Sequence, residues 1–284
     1  MTERRRIRPE DGVIVYLISF LLMQLMSLAL SGTEGDLKTY LSYLIPQVCY
    51  IGVSAVYLIA TRTEFRFLPR RENLKAWHYG LAVTAALGIF FFALLPNYGL
   101  QILFEKIGKT ATVTVPALDE AKDYVLCLIT LCILPSIGEE LIFRKIFCDG
   151  FSAYGGRIAV AMSGVLFGLS HLNLAQTVHQ VFLGCLLAYL YMKTSNITLT
   201  VLIHFINNFL ALFLTSITGA EMWNNITTLA ISCVIGLALL VSSVAFFFKK
   251  EAPLSGSGGE KPSVFVTGFA AFMIILYVII ALVV

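Results

Sequence analysis

Charged residues are scarce in this sequence, and that scarcity limits the class of protein. Only 13% of its 284 residues are charged and 58% are hydrophobic, whereas soluble domains average about 25% charged. The apolar residues come in blocks near twenty residues long, the length that crosses ~30 Å of hydrocarbon at ~1.5 Å per residue. The composition therefore excludes an ordinary soluble domain and predicts an all-α, polytopic transmembrane helix bundle.

Several local signatures are also absent. The six cysteines have no CxxC spacing and lie mostly in apolar runs, so we interpret them as buried thiols rather than a disulfide or metal framework. The sequence has no HExxH run and no GxSxG run, the best-known signals of zinc proteases and serine hydrolases. The net charge is only +3, with the basic residues in short loops, so nucleic acid is not an expected partner.

The apolar segments predict eight or nine spans, of which the fifth is the shortest. The predicted spans are 13–30, 39–60, 77–95, 123–147, 158–171, 177–192, 197–215, 226–248 and 264–284. We divide the chain into an N-terminal part of about three spans (1–122), a core of about four (123–215) and a C-terminal part (216–284). A Ser- and Gly-rich stretch at 251–263 predicts a flexible linker.

Basic residues are distributed unevenly between the loops. They crowd the N-terminus and alternate loops, whereas 31–38 and 216–225 hold one Lys between them. Because Lys and Arg favour cytoplasmic loops, the pattern predicts a cytoplasmic N-terminus and, with nine spans, a C-terminus on the outer side.

Two adjacent carboxylates interrupt the fourth apolar segment. Glu139 and Glu140 follow the stretch 124–134, which carries no charge. A charged side chain near the bilayer centre costs ~2.5–3.5 kcal/mol and usually faces an interior cavity. Later apolar segments carry His171 and His204, the latter followed one turn on by Asn208. We interpret these residues as one polar site inside the membrane.

Spacing divides the roles of the two carboxylates. Residues four apart share a helix face, as Glu140 and Arg144 do, whereas Glu139 lies about 100° further round. This predicts an ion pair for Glu140 and leaves Glu139 as the chemical group. The alternative is that both carboxylates only neutralise Arg144 and Lys145 at the membrane boundary.

A Glu and two His on three helices suit the activation of a water molecule. The Glu would act as base with a His assisting, and a His with an Asn would donate to the oxyanion. Glu139, His171 and His204 would equally suit a zinc ion with an open water position, and the residues alone do not choose between the two. We expect no chemical role for His78 or His179.

Three motifs in order resemble those of the CAAX-protease and bacteriocin-processing family of intramembrane proteases. They are EExxxR at 139–144, FxxxH at 167–171 and HxxxN at 204–208. The resemblance covers about 123–214. It implies that Glu139 is the general base with His171, and that His204 and Asn208 stabilise the oxyanion. It also implies supporting roles for Glu140, Arg144 and Phe167.

The resemblance also implies partners and a location. Eukaryotic members remove the last three residues of prenylated CAAX proteins, and bacterial relatives act on peptide precursors or confer immunity. We therefore expect a membrane-associated peptide or protein substrate, lipidated in some members, at a bacterial plasma membrane. No cofactor is expected under the glutamate mechanism, with Zn²⁺ as the alternative. A non-proteolytic immunity or partner-binding protein is the second hypothesis, and a transporter ranks last because paired broken helices are absent.

The predicted helix ends leave one mismatch in depth. At ~1.5 Å per residue, Glu139 and His204 would lie roughly 10–15 Å from the cytoplasmic edge, and His171 nearer 20 Å. Glu139, His171 and His204 would lie at the same depth if the fifth helix starts earlier or is tilted, or if the predicted helix ends are in error. A cavity open to the cytoplasm would also reconcile them.

Overall fold

The computed structural model describes residues 6–63, 75–108, 116, 118–218, 225–250, 254 and 259–283. Within these ranges the chain forms nine helices, which confirms the all-α bundle. They are α1 (Pro9–Ala29), α2 (Gly35–Ala60), α3 (Ala76–Lys106), α4 (Ala121–Tyr154), α5 (Gly156–Ser170), α6 (Leu174–Thr194), α7 (Ile197–Thr218), α8 (Ile226–Lys250) and α9 (Val264–Val283).

Each of the nine predicted segments corresponds to one helix, and seven of these helices are long and apolar enough to cross a membrane. The other two are α5, which has only 15 residues, and α6, which carries His179, Gln180 and Lys193. The protein is thus an integral membrane protein. Most of the predicted linker at 251–263, together with most of the basic second loop, lies outside the described residues.

Two predicted helix ends were wrong. Helix α3 continues to Lys106 rather than ending at 95, and Pro96 lies inside it. Helix α4 continues through Tyr154 rather than ending at 147. Its last part includes the π-helical stretch Leu141–Cys148 and one 3₁₀ turn. Polar residues such as Asp149 and Ser152 follow the predicted end at 147. A polar stretch of this kind is typical of a loop, but here it lies within the helix.

The longer α4 removes the predicted mismatch in depth. Helices α4 and α5 form a hairpin at Gly155, which has φ +104°, a conformation that favours glycine. Glu139 precedes Gly155 by sixteen residues and His171 follows it by sixteen. In an antiparallel hairpin, positions equally far from the turn lie level, so these two residues meet without a tilt of α5.

Close packing of α5 against α6 depends on glycines. A Cβ atom at Gly164 would lie 2.7 Å from the backbone nitrogen of Cys185, and one at Gly184 would lie 2.8 Å from the carbonyl oxygen of Gly164. Small residues allow transmembrane helices to approach this closely. The glycines therefore bring α6, with His179, directly beside the helix that ends at His171.

Candidate active site

The two carboxylates lie in a short α-helical stretch between two π-helical ones. Leu134–Glu140 is α-helical, whereas Leu128–Ile133 and Leu141–Cys148 are π-helical. π-helical turns are rare and occur frequently at functional sites, because they re-aim the side chains around them. Glu139 is 9% exposed and Glu140 is fully buried, so both carboxylates lie inside the bundle rather than on its outer surface.

Glu140 and Arg144 form the ion pair that their spacing predicts. The guanidinium donates from Nε to Glu140 Oε2 at 2.9 Å and from Nη2 to Oε1 at 3.3 Å, and both side chains are fully buried. Arg144 Nη1 also donates to Ser163 Oγ at 3.1 Å. The guanidinium carbon lies 4.9 Å from the centre of the Phe167 ring. The charge of Arg144 is therefore neutralised and hydrogen-bonded inside the bundle.

Phe167 lies between the polar side chains of the site. Its ring centre is 5.0 Å from that of His171 and 5.5 Å from that of His204, and each pair meets edge to face. The ring is fully buried. Phe167 thus sets the separation of the two imidazoles, in addition to packing against Arg144.

The hydrogen bonds of the two histidines define their tautomers. His204 Nδ1 lies 3.0 Å from Glu140 Oε1, and His171 Nδ1 lies 2.8 Å from the carbonyl oxygen of Phe167. Both partners are acceptors, so Nδ1 carries the proton in each neutral imidazole, an assignment made from the partners. Each Nε2 atom is then an acceptor that faces the interior of the site.

Glu139 lies between these two Nε2 atoms. Its Oε1 accepts a hydrogen bond from Gln47 Nε2 at 3.0 Å. Its Oε2 is buried and has no hydrogen-bond partner among the described residues; it lies 3.7 Å from His204 Nε2 and 3.9 Å from His171 Nε2. Three acceptors thus converge. Such an arrangement is favourable only with a proton donor or a cation between them.

A cavity of about 440 Å³ adjoins Glu139 and His171. One face of α2 forms much of its wall, through Ser42, Tyr43, Pro46, Gln47 and Tyr50. The opposite wall includes Ser170, Asn173 and Gln176. A larger cavity of about 520 Å³ between α3, α5, α6 and α8 is apolar and contains none of the site residues. The smaller, polar cavity is therefore the one that serves the carboxylate.

Asn208 accepts the last hydrogen bond of a short chain that begins at His179. Asn207 Nδ2 donates to Asn208 Oδ1 at 3.4 Å, and Asn207 Oδ1 lies 3.1 Å from Nε2 of His179. Because Asn207 Oδ1 accepts, His179 donates from Nε2. His179 and Asn207 are both buried, and Nδ1 of His179 has no partner among the described residues.

Within the described ranges, no group of three or more His, Cys, Asp and Glu side chains is placed to hold a metal ion. Glu139, His171 and His204 do not meet that condition in this arrangement.

Comparisons with known proteins identify relatives of this chain. Residues 121–210 match a family described as type II CAAX prenyl endopeptidase Rce1-like, and this range contains all three motifs. The chain is also 27% identical over 167 residues to "Putative membrane peptidase YdiL" of Bacillus subtilis (strain 168), across 57% of this chain and 67% of that protein. Over residues 121–210 the chain is therefore similar to the CAAX-protease and bacteriocin-processing family. No solved structure matches this chain significantly.

Two residues that contact the predicted site residues were not predicted from the sequence. Gln47 lies on α2, well before residues 121–210, and donates a hydrogen bond to Glu139; its signal in the sequence is an amide within an apolar helix. Asn207 precedes the motif residue Asn208 and donates a hydrogen bond to its side chain. His179, for which no chemical role is expected, lies 3.1 Å from Asn207 Oδ1 through Nε2.

Proposed function

We propose that this protein is an intramembrane endopeptidase that cleaves a membrane-associated protein or peptide with a water activated by Glu139 and His171. The observation that carries the proposal is the convergence of Glu139 Oε2 with the two histidine Nε2 atoms, 3.7 and 3.9 Å away. A water between them donates hydrogen bonds to two of the three acceptors. It is then positioned beside a carboxylate that can take its proton.

The hydrolytic step follows from this arrangement. The water oxygen bonds to the carbonyl carbon of the scissile peptide as Glu139 Oε2 takes one of its protons. The tetrahedral intermediate collapses, the C–N bond breaks, and the proton passes from Glu139 to the leaving amine. His171, fixed by its bond to the Phe167 carbonyl at 2.8 Å, holds the water through Nε2.

Asn208 and His204 are our candidates for the oxyanion donors. The chain from His179 through Asn207 ends on Asn208 Oδ1, which leaves the Asn208 amide nitrogen free to donate. His204 can donate from Nε2 only as the imidazolium. Glu140 Oε1, 3.0 Å from Nδ1, fixes the orientation of the ring. Both donors would act in a site withdrawn from water, where such bonds are strongest.

The substrate enters, in this proposal, through the 440 Å³ cavity. The hydroxyl and amide groups that line the cavity can hydrogen-bond the backbone of an extended peptide. These bonds replace the ones to water that the peptide loses on entering the membrane. The basic loops support a cytoplasmic N-terminus at a bacterial plasma membrane. The two candidate classes of substrate are prenylated CAAX peptides and unmodified peptide precursors.

Cleavage by the purified protein tests the proposal. The native protein in lipid vesicles is incubated with both peptide classes, beside Glu139→Gln and His204→Ala, and products are identified by mass spectrometry. Loss of a general base costs about 10²–10⁴-fold in rate, so Glu139→Gln is expected to fall by that factor. Glu105→Gln is the control, because Glu105 is exposed on α3.

Two results would contradict the proposal. Unchanged cleavage in both site variants would show that Glu139 and His204 do not have the proposed catalytic roles. Absence of cleavage by the native protein, with equal protection of cells by the native protein and Glu139→Gln against a bacteriocin, would favour the non-proteolytic immunity function.

A further inference from the structure

Helix α2 contributes a hydrogen bond to the carboxylate although it lies outside the matched range 121–210. Gln47, which is 6% exposed, donates from Nε2 to Glu139 Oε1 at 3.0 Å, across 92 positions of sequence. No motif includes this residue. Its partner is nevertheless the side chain on which the proposed chemistry depends.

We infer that Gln47 is a positioning residue that selects Oε2 as the reacting oxygen of Glu139. The inference rests on the proposed hydrolysis. The terminal torsion of a glutamate is soft and nearly two-fold, so an unrestrained carboxylate can exchange its two oxygens. The bond from Gln47 holds Oε1 on the α2 side. Oε2 is then left facing Nε2 of His171 and of His204.

Gly138 allows this contact to form. A Cβ atom at Gly138 would lie 2.9 Å from Gln47 Oε1 and 3.3 Å from the carbonyl oxygen of Gln47. The absence of a side chain therefore lets α2 approach α4 at the residue before Glu139. The orientation of the amide follows from its neighbours, because only its nitrogen can donate to the carboxylate.

A purely structural role for Gln47 fits the contacts less well. Its Oε1 is buried and has no hydrogen-bond partner among the described residues. A buried polar atom without a partner destabilises a protein, and an apolar side chain at the same position would avoid that cost. Gln47 is thus placed for the bond to Glu139 rather than for its own hydrogen bonding.

Three α2 variants in lipid vesicles test the inference. Gln47→Leu removes the donor, and Ser54→Ala is the matched control, because Ser54 is fully buried on the same helix and does not line the cavity. Misplacement of a catalytic group by about 1 Å can cost ~10²-fold. We expect kcat of Gln47→Leu to fall by about ten- to a hundredfold, with KM and melting temperature close to native, and Ser54→Ala to match the native protein.

Gln47→Glu is the conservative variant. Its carboxyl can replace the amide as donor only when it is protonated. Its kcat relative to the native protein is therefore expected to rise as the pH is lowered, whereas that of Gln47→Leu stays constant. A structural role alone would not produce this difference between the two variants.

The outcomes separate this inference from the proposed function. Native kcat in Gln47→Leu, or a loss matched by a fall in melting temperature, overturns the role of Gln47 but leaves the hydrolysis intact. If the native protein cleaves nothing, labelling of Glu139 by a hydrophobic carbodiimide still tests the contact. That reagent attaches to a carboxyl oxygen, and the hydrogen bond from Gln47 occupies one of the two oxygens of Glu139. Faster labelling in Gln47→Leu than in Ser54→Ala supports the inference, and equal labelling overturns it.

Discussion

Glu140 Oε1 accepts hydrogen bonds from both His204 Nδ1, at 3.0 Å, and Arg144 Nη2, at 3.3 Å. The carboxylate that spacing assigned to an ion pair therefore also orients a histidine 64 positions further along the chain. Through Glu140 the first and third motifs form one hydrogen-bonded unit. Glu139 belongs to the same site, because its Oε2 lies 3.7 Å from Nε2, the other ring nitrogen of His204.

Loss of Arg144 should destabilise the protein strongly. Arg144→Ala removes the guanidinium that pairs with the buried Glu140 carboxylate, and breaking a buried ion pair by removing one partner typically costs about 3–5 kcal/mol. The measurement is the melting temperature of the purified protein in detergent. Lys145→Ala is the control, because its 2.7 Å pair with Asp149 is partly exposed and such pairs contribute ~1 kcal/mol or less. Equal melting temperatures for the two variants would contradict the structural role of Arg144.

Gly155→Ala should strain the hairpin that brings Glu139 level with His171. The backbone of Gly155 has φ +104° and ψ +149°, and a residue with a side chain is held there at a cost of about 1–3 kcal/mol. We expect a lower melting temperature and reduced cleavage. Gly80→Ala, where no atom lies within 4 Å of the added carbon, should be neutral or slightly stabilising. A native melting temperature in Gly155→Ala would contradict this geometry.

His179 should influence catalysis through the amides it orients. His179→Leu removes the donor to Asn207 Oδ1 and so frees the Asn208 amide to turn. We expect kcat to fall by about tenfold, within the range that a mispositioned group costs, with KM near native. His78→Phe is the control, since His78 stacks on Trp77 at 3.7 Å and is not part of the site. A larger loss in His78→Phe than in His179→Leu would refute the chain of amides.

Removal of metal ions distinguishes the two versions of the site. Protein dialysed against EDTA should retain its cleavage rate if Glu139 and His171 activate the water directly. Loss of activity that added zinc restores would instead support a metal bound by Glu139, His171 and His204. A chelator-treated sample of Glu139→Gln serves as the inactive reference.

The local pattern of residues was enough to predict the helices and the two histidines, His171 and His204, that lie beside Glu139. Apolar length and the i, i+4 spacing of Glu140 and Arg144 are properties of short stretches of chain. The end of α4 was misjudged for the same reason. Asp149 is held within the bundle by Lys145 and by Tyr191, and the second of these contacts is invisible to local periodicity.

By itself the sequence determined that this is an all-α membrane bundle, which residues form the three motifs, and which carboxylate pairs with Arg144. These features depend on composition and on helical spacing. Only the tertiary structure decided that Gln47 holds Glu139, that His179 orients Asn207, and that two imidazoles face one carboxylate oxygen. Those contacts join residues 28 to 92 positions apart, and their geometry depends on how the helices pack, through glycines such as Gly138 and Gly155, rather than on any local pattern.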